Sequence, residues 1–163
     1  MRSQYIGLTS HCRAHTNNWV TIAEQVVEQC LATRLRKANR LITNIYDQAL
    51  RPLGLKISQM NILVVTEKKG AARPSEIGRA LDIEASTLSR NLERMRRRGW
   101  IEALEDESDA RSQPFRLTSE GRRLIEDAYP AWLLAQDKAQ RLLGAEAAAA
   151  LGKSPAAALA DDL

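Results

Sequence analysis

In the middle of the chain, two stretches of apolar residues with helical spacing are separated by a short interruption. Ile77, Ala80 and Leu81 fall on one side of a helix. Pro74 suits the first turn of that helix, because an N–H donor at this position would have no partner within the helix. After a turn of three residues a second helix is expected to begin behind Glu84, which is placed to cap it. The pattern predicts two short helices joined by a tight turn.

The second helix, predicted over residues 84–99, has an apolar side and a polar side. Leu88, Leu92 and Met95 recur at the i, i+4, i+7 spacing of a surface that faces a core. Gly99 is placed to end the helix in a left-handed conformation, which glycine adopts easily. The opposite side and the first turns carry hydroxyl and guanidinium groups, on Ser86, Thr87, Ser89, Arg90, Arg94 and Arg97.

Beyond Gly99 the spacing of apolar residues changes to two, which is typical of a β-strand. This pattern predicts short strands over residues 100–104 and 115–117, joined by a polar loop at 105–114. A helix, a turn, a second helix and a hairpin are the parts of a winged helix-turn-helix, which sets one helix in the major groove of DNA. The predicted fold is therefore mainly α, with a small wing of two to three β-strands.

Two long amphipathic segments flank this module. Apolar residues follow helical spacing over residues 26–50 and again over residues 118–143, where Pro130 is expected to kink the helix at Tyr129. The stripes consist of Leu31, Leu35, Ala38, Ile42, Ile45 and Ala49 in the first segment and of Leu124, Ala128, Trp132, Ala135, Ala139 and Leu142 in the second. A monomer would bury these stripes only in part, so they favour the association of two copies.

The chain is accordingly divided into three regions. Residues 1–25 form an N-terminal extension that is expected to be partly disordered. Residues 57–117 form the winged helix-turn-helix, and residues 26–56 together with 118–163 form a helical dimerisation region. The alanine-rich tail that follows Gly144 has the composition of a further helix.

Composition is compatible with this organisation but would not have predicted it. The chain has 163 residues, of which 44% are hydrophobic, with a net charge of +4 and a pI near 9.3. A positive charge permits contact with nucleic acid, whereas an aromatic content of 4% argues against a stacking surface for single strands. No apolar run approaches the roughly 18 residues of a membrane span, so we expect a cytoplasmic protein with no membrane partner.

The chemistry of the second helix suits contact with double-stranded DNA. Residues 84–99 contain five arginines and two glutamates, a local charge of +3. Small hydroxyls and Arg90 near the amino end suit base edges and phosphate oxygens, because bidentate arginine contacts to guanine are the commonest specific pairing. The arginines at 96–98 are expected to contact the DNA backbone. The alternative is an arginine-rich surface helix that is merely solvated.

The loop of the predicted hairpin is acidic, and an acidic loop would be repelled by the phosphates of DNA. Its charge of −3 comes from Arg111 and the four carboxylates of Glu105, Asp106, Glu107 and Asp109. We hypothesise that Asp109 orients Arg111 towards a narrow minor groove. A solvated hairpin tip is the alternative. Ser75 and Ser112 complete the predicted DNA-binding residues.

Short motifs with a common resemblance are spread over residues 30–144. They are Ser86-Thr87-Leu88-Ser89-Arg90-Asn91-Leu92, Arg97-Arg98-Gly99-Trp100-Ile101, Leu117-Thr118 with Gly121, Tyr46-Asp47 with Leu50, Pro52-Leu53-Gly54-Leu55 with Gln59, and Pro130-Ala131-Trp132. In combination they resemble the MarR family of transcriptional regulators. The resemblance and the apolar stripes together imply a DNA-binding homodimer built from the two ends of the chain, and a repressor that responds to a small-molecule effector.

The sequence departs from the family's pattern in two places. The family's wing usually has an acidic residue followed by Arg, Asp and a further Arg, whereas this chain has Asp106 and then Ser108, Asp109 and Arg111. Ala85 stands where a charged or polar residue is common. Both departures favour an alternative in which the winged helix is a protein-interaction scaffold that does not bind DNA.

The resemblance places an effector pocket between the dimerisation helices and the DNA-binding domain. Tyr46, Met60 and Trp132 are candidate lining residues, although such side chains at helical spacing are more often part of a core. Cys12 and Cys30 raise a second alternative, a regulator that senses oxidation through a thiol. Cysteines in a reducing compartment are usually free and inert, which is the simpler interpretation.

Motifs for catalysis and metal binding are missing from the sequence. His11, Cys12 and His15 have donor atoms for a metal, but they are only three ligands in a polar tail, so no metal and no cofactor is predicted. Both histidines lie within the first fifteen residues, and there is no Gly-rich phosphate loop, Gly-x-Ser-x-Gly elbow or Cys-x-x-Cys pair. The chain is not expected to be an enzyme.

Overall fold

The computed structural model of the protein describes residues 12–104 and 113–152, with the side chains of residues 19–104 and 113–151. The helices are α1 Cys12–Gln29, α2 Leu31–Leu50, α3 Ile57–Lys68, α4 Pro74–Leu81, α5 Ala85–Arg97, α6 Ser119–Leu143 and α7 Ala145–Gly152, with a 3-10 turn at Arg51–Leu53. The strands are β1 Ile101–Ala103 and β2 Phe115–Leu117. This order confirms the predicted mainly α fold with a helix-turn-helix and a β wing.

The chain divides into two compact units, residues 1–41 and residues 42–163. In the first unit, α1 and α2 meet at Cys30, whose N–H donates to the Val26 carbonyl at 2.9 Å. The carbonyl of Cys30 in turn accepts from the N–H of Arg34 at 3.1 Å, so helical hydrogen bonds continue across the junction. The long helix predicted from residue 26 is therefore two helices that meet at Cys30.

Within the N-terminal extension expected to be partly disordered, residues 12–25 are helical, and residues 1–11 lie outside the described residues. Apolar residues at Trp19, Ile22 and Val26 continue the helical spacing upstream. Polar residues outnumber them in this stretch, so its composition alone favours disorder although its spacing favours a helix.

The hydrophobic core of the second unit lies between the helix-turn-helix, the hairpin and α6. Its fully buried side chains are Leu50, Leu55, Ile62, Leu63, Ile77, Leu88, Met95, Ile101, Leu117 and Ala128. The central helix α3 contributes residues from most of its circumference to this core, including the polar Thr66, whose hydroxyl donates to the Ile62 carbonyl at 2.8 Å. A buried hydroxyl needs such a partner, because an unpaired polar group in a core is costly.

The hairpin is a two-stranded antiparallel sheet in which Ile101 pairs with Leu117 and Ala103 with Phe115. Ala72 extends it by a single bridge, exchanging backbone hydrogen bonds of 2.8 and 2.9 Å with Phe115. The wing thus has two strands and one further bridged residue, as the predicted range of two to three strands allowed. Its loop at residues 105–112 lies outside the described residues.

The start of α6 is tied closely to the end of α5. The hydroxyl of Thr118 donates to the Gly99 carbonyl at 2.6 Å and accepts from the N–H of Gly121 at 3.1 Å. Gly121 lies so near the chain at Trp100 that a Cβ added to it would be 2.0 Å from the Trp100 carbonyl oxygen. Only glycine permits this approach of the two backbones.

Beyond this junction, α6 stays helical through Pro130 up to Leu143, as its apolar spacing predicted. The tail helix α7 confirms the expectation of a further helix after Gly144. Within the described ranges, none of the helices has the length and apolar character required to cross a membrane.

Candidate nucleic-acid interface

The second helix of the helix-turn-helix, α5, is fixed to the core by one side. Leu88, Leu92 and Met95 are all at most 3% exposed, which confirms the predicted apolar stripe. Burial of each such side chain stabilises the fold by about 1.5 to 3 kcal/mol. The remaining predicted residues of α5 are exposed together on its other sides, at Ser86, Thr87, Ser89, Arg90, Arg94 and Arg97. We call this set the α5 polar face.

The turn that leads into α5 is short and closely packed. Asp82 adopts a left-handed conformation with φ of 49°, and the N–H of Ile83 donates to the Gly78 carbonyl at 3.0 Å. Glu84 occupies the position before the helix, but its side chain accepts no capping hydrogen bond, so the predicted cap is wrong. A glutamate side chain is longer than the serine or aspartate that usually makes this contact.

The arginines of α5 differ in what they contact. The Nε of Arg90 donates to the Ser86 carbonyl at 3.1 Å, which holds the guanidinium against the first turns of the helix. Arg96 and Arg97 both donate to the carboxylate of Glu93, at 3.1 and 2.8 Å. Arg94 is exposed, and its guanidinium has no ion-pair or hydrogen-bond partner in the described part of the chain. The guanidinium of Arg94 is therefore the one on α5 that is not held by a described side chain or carbonyl.

Arg98, just beyond α5, contacts its own chain in a way that the sequence did not indicate. Its Nη1 donates to the Gly54 carbonyl at 2.6 Å, and its guanidinium lies 4.8 Å from the centre of the Trp100 ring. A cation above an indole face is attracted by the ring electrons. Arg98 thus joins the end of α5 to the turn before α3, and the expectation that residues 96–98 contact the DNA backbone stays a prediction.

We expect Arg98→Ala to lower the free energy of unfolding by about 1 kcal/mol, because an exposed charged hydrogen bond and a cation–π contact are lost. For a chain of this size such a loss corresponds to a melting temperature lower by roughly 2 to 4 °C. Arg94→Ala is the matched control, since Arg94 has no described partner, and it should leave the melting temperature unchanged. Equal melting temperatures for the two variants would contradict the role assigned to Arg98.

Ser75, the predicted DNA-binding residue on α4, lies beside the α5 polar face. It lines an open cavity of about 680 Å³ between α4, α5 and β2, and Ser89 lines the same cavity from the other side. The structure therefore brings Ser75 and Ser89 together. The predicted wing residues Asp109, Arg111 and Ser112 lie outside the described residues, so their hypothesis stays a prediction.

The predicted effector residues differ in their surroundings. Met60 is 5% exposed within the core, and Trp132 is half-buried and stacks on Tyr129 with ring centres 6.0 Å apart. The hydroxyl of Tyr46 donates to the side-chain oxygen of Gln136, and burial raises the pKa of Tyr46. The cavity between α4, α5 and β2 and the groove along α5 are lined by other residues than Tyr46, Met60 and Trp132.

The cysteine and metal hypotheses concern mainly the N-terminal residues. Cys30 is a free, partly exposed thiol whose pKa is lowered by hydrogen bonding with Thr33. His11 and the side chains of Cys12 and His15 lie outside the described part of the chain. Among the described residues, no three His, Cys, Asp or Glu side chains are grouped as a metal site would need.

Comparison with known proteins connects this geometry to a family. A family model described as the MarR family matches residues 53–112. The regulator MOSR of M. tuberculosis, whose structure is in complex with DNA, is 34% identical, with a TM-score of 0.65 over 83% of this chain and 100% of that one. The chain belongs to the MarR family of transcriptional regulators. The predicted family is thereby confirmed.

Two further relatives define the extent of the likeness. The transcriptional regulator PecS of Dickeya dadantii is 34% identical over 94 residues, which are 56% of this chain and 57% of PecS. The chain thus spans less than two thirds of the length of the first curated relatives it matches. BpsR of Bordetella bronchiseptica has the same fold, with 23% identity and a TM-score of 0.67 over 74% of this chain and 92% of that one.

Proposed function

We propose that this protein is a homodimeric, sequence-specific regulator, a repressor in the cytoplasm, that binds double-stranded DNA through the α5 polar face. The observation that carries the proposal is that α5 is held by three buried residues on one side while hydroxyls and guanidiniums project together from the other. A helix of this kind fits the major groove, where hydroxyls and arginines contact base edges. MOSR, which is 34% identical to this chain, was solved in complex with DNA.

Exposed apolar side chains support the proposed homodimer. Large apolar residues on α1 and α2 are more than 40% exposed, and so are others on α6. They are Trp19, Val20, Ile22, Val26, Val27, Leu31, Leu35 and Leu41 in the first group and Tyr129, Leu133, Leu134 and Leu142 in the second. Monomeric proteins rarely expose so many apolar side chains on neighbouring positions, and contact with a second copy would cover them. We retain residues 26–56 and 118–163 as the dimerisation region and 57–117 as the DNA-binding domain.

A response to a small molecule is the third part of the proposal. In the related BpsR, DNA binding is regulated by 6-hydroxynicotinic acid. Tyr46, Met60 and Trp132 stay the predicted lining of an effector site in this protein. The Asp109 and Arg111 hypothesis and the thiol alternative at Cys30 also remain predictions.

The proposal is tested by a mobility shift on the DNA upstream of the protein's own gene. We expect a complex of two chains per duplex, resistant to excess mixed-sequence DNA, whose stability falls steeply as salt is raised. Half-sites should lie about one helical turn, roughly 34 to 36 Å, apart. A specific complex that contains one chain would contradict the homodimer, and no shift at low salt would contradict DNA binding.

The alternative function is a protein-interaction scaffold without DNA binding. Two observations favour it. Arg96, Arg97 and Arg98 are all bound to groups of their own chain, and the first residue of α5 is Ala85, which is exposed and has no polar group to offer DNA. In that case the mobility shift would be absent on every duplex at low salt.

A further inference from the structure

An acidic residue lies within the proposed DNA-binding surface. Glu93 and four residues of the α5 polar face line one shallow groove of about 380 Å³, and those four are Ser89, Arg90, Arg94 and Arg97. Glu93 is the one acidic residue of α5, which otherwise carries four arginines. Its side chain is 41% exposed, so DNA that approached α5 along this groove would meet the carboxylate as well as the arginines.

Glu93 holds two of those arginines at once. One carboxylate oxygen accepts from the Nε of Arg97 at 2.8 Å, and the other accepts from the Nε and Nη2 of Arg96, each at 3.1 Å. The two arginines lower the pKa of Glu93, Arg96 contributing most, so the carboxylate is charged at neutral pH. Hydrogen bonds between ions are shorter and stronger than those between neutral groups, and each guanidinium is directed towards Glu93.

We infer that Glu93 restrains sequence-independent binding of duplex DNA by competing with phosphate for Arg96 and Arg97. This inference rests on the proposed function. A phosphate that approaches either arginine must displace a carboxylate already bound there, and it is also repelled by that carboxylate. Exposed ion pairs on a helix contribute little to folding. Their larger consequence here is the reduced charge of a surface that would otherwise attract any polyanion.

Arg90 and Arg94 are not held by Glu93. Arg90 is bound to Ser86 near the amino end of α5, and the guanidinium of Arg94, in the last turn, has no partner among the described residues. Arg96 and Arg97 are restrained by Glu93, whereas the guanidiniums of Arg90 and Arg94 remain free of that carboxylate. Glu93 therefore shifts the balance of binding from phosphates in general towards the sequence that α5 recognises.

The inference is tested with Glu93→Gln in the full-length protein. Glu67→Gln is the matched control, because Glu67 is 40% exposed, pairs with Arg122 at 2.8 Å and lies on α3 rather than α5. We expect Glu93→Gln to bind a mixed-sequence duplex about three- to tenfold more tightly near 50 mM salt, with a salt slope steeper by about one unit. Glu67→Gln should bind as the unmodified protein does.

A variant that lacks both arginines shows whether the effect of Glu93→Gln comes from the release of Arg96 and Arg97 or only from the loss of a negative charge. Combined with Arg96→Gln and Arg97→Gln, the change at Glu93 should lose most of its effect. An equal gain in that background would overturn the inference, and so would no gain from Glu93→Gln alone when the unmodified protein binds the duplex.

Elution from a heparin column by increasing salt gives a readout that does not depend on the proposed function. Glu93→Gln should elute at higher salt than the unmodified protein and than Glu67→Gln, and equal elution of all three would overturn the inference even if DNA is bound. If no variant shifts any duplex while Glu93→Gln still elutes later, the proposed function fails and the restraint on the arginines stands.

Discussion

Replacing Gly121 by alanine should destabilise the protein by about 3 kcal/mol, at the upper end of the usual cost of an overpacked site. The added methyl carbon would lie 2.0 Å from the carbonyl oxygen of Trp100. The position of the methyl carbon is fixed by the backbone of α6, and the carbonyl is itself backbone, so neither atom can rotate away. To relieve this clash, α6 would have to move away from the hairpin. That movement would also strain the hydrogen bonds of Thr118. The free energy of unfolding, measured in urea, should fall accordingly.

Gly78→Ala provides the control for this prediction. Gly78 is also helical, and an added Cβ would meet the Ile83 carbonyl at 3.3 Å, a close contact that a shift of a few tenths of an ångström relieves. Alanine is favoured over glycine in a helix by about 1 kcal/mol, which offsets the crowding. A loss for Gly121→Ala no larger than that for Gly78→Ala would show that the close approach of α6 to Trp100 is not a constraint.

Arg90→Ala should weaken binding to the preferred duplex by about 1 to 3 kcal/mol and reduce the preference for it over mixed-sequence DNA. Arg90 lies within the first two turns of α5, and its bond to the Ser86 carbonyl directs the guanidinium along the exposed face. Arg97→Ala should instead weaken binding to both duplexes equally and lower the salt slope by about one unit. Fluorescence anisotropy on the two duplexes at several salt concentrations measures both effects.

The comparison between these two variants is the critical result. If Arg90→Ala lowers the affinity for both duplexes by the same factor, Arg90 contacts phosphate and does not recognise bases. If Arg97→Ala alone reduces sequence preference, the two ends of α5 have the opposite roles to those proposed.

Much of the fold was predictable because it depends on local spacing. Leu88, Leu92 and Met95 repeat at helical intervals, and the change of spacing after Gly99 marks the hairpin. The junction at Cys30 was not predictable, because the helical hydrogen bonds continue through it and the sequence has no proline or glycine there. Spacing along a chain indicates which side of an element is buried more reliably than where the element begins or ends.

The candidate interface was predictable in its residues and less so in their interactions. The exposed side of α5 follows directly from its buried side. The bond between Arg98 and Gly54 joins residues 44 positions apart, and no sequence pattern connects them. Similarly, Met60 has the apolar character of either a core residue or a pocket residue, and only the packing around it shows that it is buried in the core.

The hydroxyl of Thr118 has a mechanical consequence. Through one oxygen atom it joins the backbone at the end of α5 to the first turn of α6. The close contact at Gly121 restricts movement between these two segments. A helix of 25 residues is about 37 Å long, so a tilt of a few degrees about one end displaces the other by several ångströms. If a second molecule displaced the far end of α6, we expect this rigid joint to pass the movement to α5 as a change of angle.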